Sequence, residues 1–250
     1  MRVISLHDVS PAAREPFVDK IRWLIESFNV VSLGTAYRGT DLDFQRLNVA
    51  LTFDDGYREH STFVAPLLQK LDVPATFFVP SAALDLSGEQ ADRFSHDRLR
   101  RSRSFQFMTS EELKELARHE LFAVGGHTRT HADLGQIGQQ DELDAEIIED
   151  KRILEKITGQ QLRWFAFPFG ASKNATVQAL RTIERSGYEV AFTIVPGFWS
   201  TRSTIHLVGR DALEPAADRR LWSASLRGGY DPISWVKHRR RLRALGGARG

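Results

Sequence analysis

Val49-Ala50-Leu51-Thr52-Phe53-Asp54-Asp55-Gly56-Tyr57 runs an apolar strand straight into two adjacent carboxylates and a glycine. An apolar run without polar alternation suits a strand covered on both faces, as in a parallel sheet. Side chains alternate along a strand, but the turn at its C-terminal end can bring both acids to one rim. In parallel β/α folds that rim is where active sites form. Read alone, Asp54 and Asp55 fit equally well the N-cap and a solvated neighbour of the next helix.

Outward from this stretch the same pattern repeats. Apolar runs at 3–6, 75–79, 122–126, 164–167 and 190–194 read as further buried strands. Helical patterns near 12–28, 60–71, 110–119, 141–158 and 174–187 lie between them. Thr109 with Glu112 three residues on predicts a capping box, and Gly159 is placed to stop the helix that Asp141 opens. Alternating strands and helices predict a parallel sheet or barrel with helices outside. The segment 81–108 is polar and carries Arg93, Arg98, Arg100, Arg101 and Arg103, which predicts a long surface loop with a short helix. No linker divides the chain, so one domain is expected over 1–230, followed by a basic tail over 231–250.

Composition narrows the class. The chain has 250 residues, 42% hydrophobic and 26% charged, the profile of a globular protein rather than a repeat or low-complexity chain. No apolar run reaches the roughly 18 residues of a membrane span. The N-terminal apolar run breaks at His7 and Asp8, too early for a secretory signal, so a cytoplasmic or already processed chain is expected. The absence of cysteine excludes disulfides and thiolate ligands, leaving His, Asp and Glu to hold any metal. The net charge of +2 conceals an asymmetry: without the six basic residues from Lys237 onward, 28 basic residues face 32 acidic ones, about −4. The tail is read as a solvated extension, with peripheral contact to anionic lipid as the other possibility.

The second chemical motif is Gly125-Gly126-His127-Thr128-Arg129-Thr130-His131, again at the end of an apolar strand. Histidines four apart lie on one side of a helical turn, a spacing at which both imidazoles can reach one ion. Two His and one carboxylate, with a position open for water, form a catalytic zinc set, and the other Asp is then free to act on that water.

TFDDG, HTRTH and AFPFG, in this order and each at a strand end, resemble the first three motifs of the polysaccharide deacetylases, the NodB-homology group of carbohydrate esterase family 4. The resemblance covers roughly 1–210 and implies a distorted parallel (β/α)7 barrel. It implies removal of the N-acetyl group from an N-acetylated sugar or polysaccharide, with a divalent metal, zinc, as cofactor. It further implies Asp54 as catalytic base, Asp55, His127 and His131 as metal ligands, and the Pro168-Phe169 segment, through the Phe169 N–H, as the oxyanion site.

Two departures stand out. Many members carry an arginine two residues before the proline of the third motif, orienting the base; here that position is Ala166, and Arg163 has the wrong strand parity to replace it. A late histidine motif is also indistinct, although His206 lies in TIHLVGR. The N-terminal Ser5-Leu6-His7-Asp8-Val9 is similar to the subgroup related to the poly-N-acetylglucosamine deacetylases, where the histidine acid comes from the first strand. His7 is therefore the expected general acid, with His206 the alternative and a structural tie to Asp8 the bland one. His60, His96, His119 and His238 read as surface residues. Rival functions are a deformylase or amidase on another substrate and a non-catalytic carbohydrate-binding remnant. Nucleic acid is not an expected partner.

Overall fold

The structure is a computed structural model and describes residues 1–197, 199 and 207–232. Among the described residues nine strands occur: β1 Arg2–Leu6, β2 Asn29–Val30, β3 Asn48–Phe53, β4 Ala75–Val79, β5 Phe122–Gly126, β6 Trp164–Ala166, β7 Val190–Thr193, β8 Leu207–Gly209 and β9 Asp211–Ala212. The helices are α1 Arg14–Ser27, α2 Leu33–Arg38, α3 Ala65–Lys70, α4 Gly88–Arg93, α5 Ser110–Arg118, α6 Gln140–Thr158, α7 Val177–Arg185 and α8 Arg219–Leu226. The six strands expected from sequence are all present, within two residues of their expected ends.

Every pairing is parallel, in the order β8-β7-β6-β5-β4-β3-β1-β9, with β2 added against the start of β3. The two ends of this order are contiguous in sequence, because only Arg210 separates β8 from β9. β8 pairs with β7 and β9 with β1, so one short stretch of chain nearly closes the sheet into a barrel. Counted as a single stave, β8 and β9 give the seven-stave parallel barrel of the expected fold class.

Two cores follow from strand parity. Ile4, Leu6, Leu51, Phe53, Phe77, Val79 and Phe165 pack outward against α1, α3, α5 and α6. Val3, Ala50, Phe78, Trp164, Ala166, Phe192 and Val208 form a separate inner cluster that fills the barrel. Gly125 is needed there: a Cβ would stand 2.4 Å from the Phe78 ring. Ser5, His7, Thr52, Asp54 and Arg210 share the parity of the inner set and continue it towards the C-terminal mouth.

Local signals act as read. Thr109 accepts from the Glu112 N–H while Glu112 reaches back to the Thr109 N–H, a complete capping box for α5. Gly159 ends α6 in the left-handed conformation. The segment 81–108 differs from its expected form. Instead of a loose surface loop, it folds α4 and a π-helical turn (Phe94–Arg98) around a third buried cluster of Tyr57, Ala83, Phe94, Leu99, Phe105 and Phe107. Arg93, Arg98, Arg100 and Arg103 are exposed and Arg101 is half-buried, while the aromatic residues of the segment provide a core that the polar average concealed.

No helix among the described residues is long and apolar enough to cross a membrane. His206 and the tail beyond Pro232 lie outside the described residues.

Candidate active site

Asp55, His127 and His131 meet at the C-terminal mouth of the barrel, all buried. His127 Nε2 is 3.5 Å and His131 Nε2 is 3.3 Å from the same Asp55 oxygen, Oδ1, and one ligand atom from each residue lies within 4.8 Å of the others. Ligands on arms of about 2.0–2.2 Å around a tetrahedral ion stand at such separations. Asp55 Oδ1 is buried without a hydrogen-bond partner, a cost that a cation would remove. The residues present thus fit a divalent metal.

The other atoms of the trio are fixed. His127 Nδ1 is 2.7 Å from the Ala166 carbonyl and His131 Nδ1 is 3.1 Å from the Arg98 carbonyl. These contacts leave both Nε2 atoms for a metal. Asp55 Oδ2 accepts from the Tyr57 hydroxyl at 2.7 Å and from Arg101 at 3.2 Å. Burial works against ionisation of Asp55, but the adjacent imidazoles of His127 and His131, with His7 nearby, hold its carboxyl well below the usual carboxylate range.

The histidine segment is not the helical turn expected from its spacing. It is an irregular loop in which Thr128 and His131 take positive φ, held by Glu146, whose carboxylate accepts from Thr130. Asp55 and Phe169 also take positive φ. Left-handed backbone at non-glycine residues costs on the order of 1 kcal/mol or more each and persists where its surroundings over-determine it.

Asp54 lies beside the trio and is 2% exposed. Arg210 donates to both of its oxygens, from Nη1 to Oδ1 and from Nη2 to Oδ2, each at 2.7 Å. Ser5 donates to Oδ2 at 3.1 Å, and the Asp54 N–H is held by the Leu6 carbonyl. Burial alone would raise the Asp54 pKa; the Arg210 charge, then His127, outweighs it and holds the carboxyl below its ordinary value. Arg210 thus holds Asp54 from a different strand end, where Ala166 has no side chain to do so. Arg163 instead pairs with Glu189.

A cavity of about 310 Å³ opens on these groups and is also lined by His7, Phe169, Arg100 and Glu214. His7 follows β1, and its carbonyl accepts from His60 Nε2 at 3.0 Å. Asp8 pairs with Arg103, so it does not tie down the His7 ring. Phe169, after buried Pro168, packs its ring on that of His131 at 4.8 Å, and its N–H has no acceptor among the described residues. A larger cavity of about 490 Å³ lies under the 85–109 segment and contains none of these residues.

The profile of the polysaccharide deacetylase family matches residues 43–190, which include both aspartates, both histidines and Phe169. The chain belongs to the polysaccharide deacetylase family. It is 26% identical over 167 residues to YxkH of Bacillus subtilis (strain 168), covering 67% of this chain and 52% of that protein. It is 30% identical over 121 residues to the poly-beta-1,6-N-acetyl-D-glucosamine N-deacetylase of Escherichia coli (strain K12), covering 47% of this chain and 17% of that protein. The chain therefore spans about half or less of the length of these curated relatives. Among solved structures, IcaB from Ammonifex degensii superposes with a TM-score of 0.69 at 20% identity, covering 90% of this chain and 96% of that one. The fold is shared.

Within this deacetylase domain, sequence reading missed three groups. Arg210 lies beyond the matched segment, between two strands too short to stand out. Its signal is parity, since it continues the inward face of Val208. Arg101 was one of five arginines in an apparent loop. His60, read as a surface residue, is fully buried among Phe53, Tyr57 and Phe77. The apolar stripe of the 60–71 helix places it inward, and its aromatic neighbours account for the burial.

Proposed function

We propose that this chain removes the N-acetyl group from N-acetylated amino sugars of a polysaccharide, releasing acetate, with one zinc ion held by Asp55, His127 and His131. The observation that carries this reading is the unpartnered Asp55 Oδ1 between two imidazole nitrogens, beside a second carboxylate clamped by Arg210. The printed activity of the Escherichia coli relative supports the substrate class.

Amide hydrolysis is slow because water is a weak nucleophile and an amine a poor leaving group. A divalent ion at this site supplies Lewis acidity towards the acyl oxygen and lowers the pKa of water in its reach. Asp54 takes the proton of the attacking water. Arg210 occupies one direction on each of its oxygens, and Oδ1 has no other donor among the described residues, so a lone pair there can receive that proton. The Phe169 N–H donates to the oxyanion of the tetrahedral intermediate. His7, on the same cavity wall, gives its proton to the departing nitrogen, leaving a free amino sugar.

The test is metal analysis of the purified chain combined with a screen for acetate and formate release from N-acyl sugars. Zinc-dependent acetate release is expected. Formate release alone would move the reading to a deformylase. Metal binding with no acyl release from any N-acyl sugar would make the domain a non-catalytic carbohydrate binder.

A further inference from the structure

The four residues Arg98–Arg101 supply outer partners to two of the three candidate metal ligands: the Arg98 carbonyl to His131 Nδ1, and the Arg101 guanidinium to Asp55 Oδ2. Both come from the 81–108 segment, which is not a strand end of the barrel. Arg101 is held by its own backbone, its N–H donating to the Ser95 carbonyl and its C=O standing 2.8 Å from His96 Nδ1.

Asp55 Oδ2 has two donors that differ in kind. Tyr57 is fully buried, stacked on Phe105 at 4.4 Å between ring centroids, and its hydroxyl orients the carboxylate without adding charge. Arg101 adds a full positive charge on the oxygen that faces away from the histidines. That charge draws electron density from Oδ1 and repels a cation held there; the Arg101 side chain is 34% exposed and so screened in part, whereas the Asp55 carboxylate it faces is only 2% exposed. The other carboxylate is already matched by Arg210. With each acid paired to an arginine, a divalent ion brought to Asp55, His127 and His131 keeps most of its positive charge for the acyl oxygen.

We propose that Arg101 is a charge-tuning positioning residue: it makes Asp55 a weaker ligand, so the site holds its divalent ion less tightly but leaves the ion a stronger Lewis acid. Asp55 Oδ1 remains open while Oδ2 is engaged, so Arg101 and the ion occupy the carboxylate together rather than in competition. The inference rests on the metal reading above.

The experiment is zinc affinity of the full chain by competition with a chromophoric chelator, for the wild type and for Arg101→Gln, Arg101→Met, Arg101→Lys and Tyr57→Phe. The neutral replacements should bind zinc on the order of 10-fold tighter, the scale of outer-partner effects, and turn over N-acetyl sugar more slowly. Arg101→Lys, which keeps the charge, should stay near the wild type, and Tyr57→Phe should bind zinc about 10- to 100-fold more weakly. If both neutral replacements bound zinc no tighter than the wild type, Arg101 would be a mechanical clamp and the inference would fall. A wild type that bound no zinc would overturn the metal reading instead. Arg101→Met covers the case in which Arg101→Gln does not fold.

Discussion

Arg210 and Asp54, 156 residues apart, form a two-pronged ion pair with both side chains almost wholly out of solvent. Arg210 sits at the single residue between β8 and β9, where the sheet nearly closes. Its Nη1 also donates to Thr52, and its Nε to the Thr193 carbonyl. One side chain therefore ties Thr52 and Thr193 of the closing barrel to Asp54, the proposed base.

Removing Arg210 should accordingly hurt twice. Arg210→Met leaves a buried carboxylate unpaired, which destabilises by about 3–5 kcal/mol when one partner of such a pair is lost. Turnover should fall by at least about 100-fold, because the freed carboxylate loses its aim, and part of it should return in Arg210→Lys. Urea denaturation and steady-state kinetics on the same preparations measure both. A variant as active as the wild type would remove Arg210 from the mechanism.

The two aspartates should separate. Asp54→Asn removes the proposed base but no ligand, so zinc content should persist while turnover falls by about 100- to 10,000-fold. Asp55→Asn removes a ligand and should lower zinc affinity itself. Equal metal loss in both would show that the division of roles is wrong.

His60 predicts a pH dependence of stability. Its ring is fully buried, Nδ1 has no partner, and burial pushes its pKa down to about 4. An unfolded chain titrates this group near 6.5, so between those values the unfolded state takes up a proton that the folded state refuses. Stability from this group is full above pH 6.5 and drains as the pH falls towards 4, by about 3 kcal/mol in all. Asp150 and Asp211, raised by burial to about 7 and about 6, act in the opposite direction, Asp150 across the whole window and Asp211 over its lower part. The difference between wild type and His60→Gln isolates the histidine: the wild type should lose more stability from pH 6.5 to 4. Parallel stability curves would exclude His60 as the source.

How far the sequence reading reached depended on whether the signal was local. The TFDDG strand, the Thr109 capping box and the Gly159 stop are set by neighbouring residues, and each appears where its pattern placed it. Asp55, His127 and His131 converge because two strands, β3 and β5, end on one rim, which the β/α alternation implied. What escaped depends on distant partners. Arg210 acquires its role only when β9 lies beside β1, and β8 and β9 are too short to give a period. The 81–108 segment looked loose because its apolar residues are spaced irregularly, and it is organised around Tyr57, outside the segment itself.

The His7 assignment is the sharpest test of the proposed mechanism. His7 continues the inward parity of Val3 and Ser5 and lines the cavity that holds Asp54, Asp55, His127 and His131. It is near enough for its charge to act on both carboxylates, while His60 holds its carbonyl and leaves the ring free of that bond. A general acid matters in proportion to how poor the leaving group is. An amine must be protonated as it departs, whereas an activated ester expels a stable oxyanion unaided. His7→Ala should therefore lower turnover of an N-acetyl sugar by about 100- to 10,000-fold, yet lower hydrolysis of an aryl acetate by far less. Zinc content should stay at the wild-type level, since no ligand is removed. Equal losses on amide and ester would assign His7 a structural role. A full effect on the amide from His206→Ala, with none from His7→Ala, would move the acid to His206.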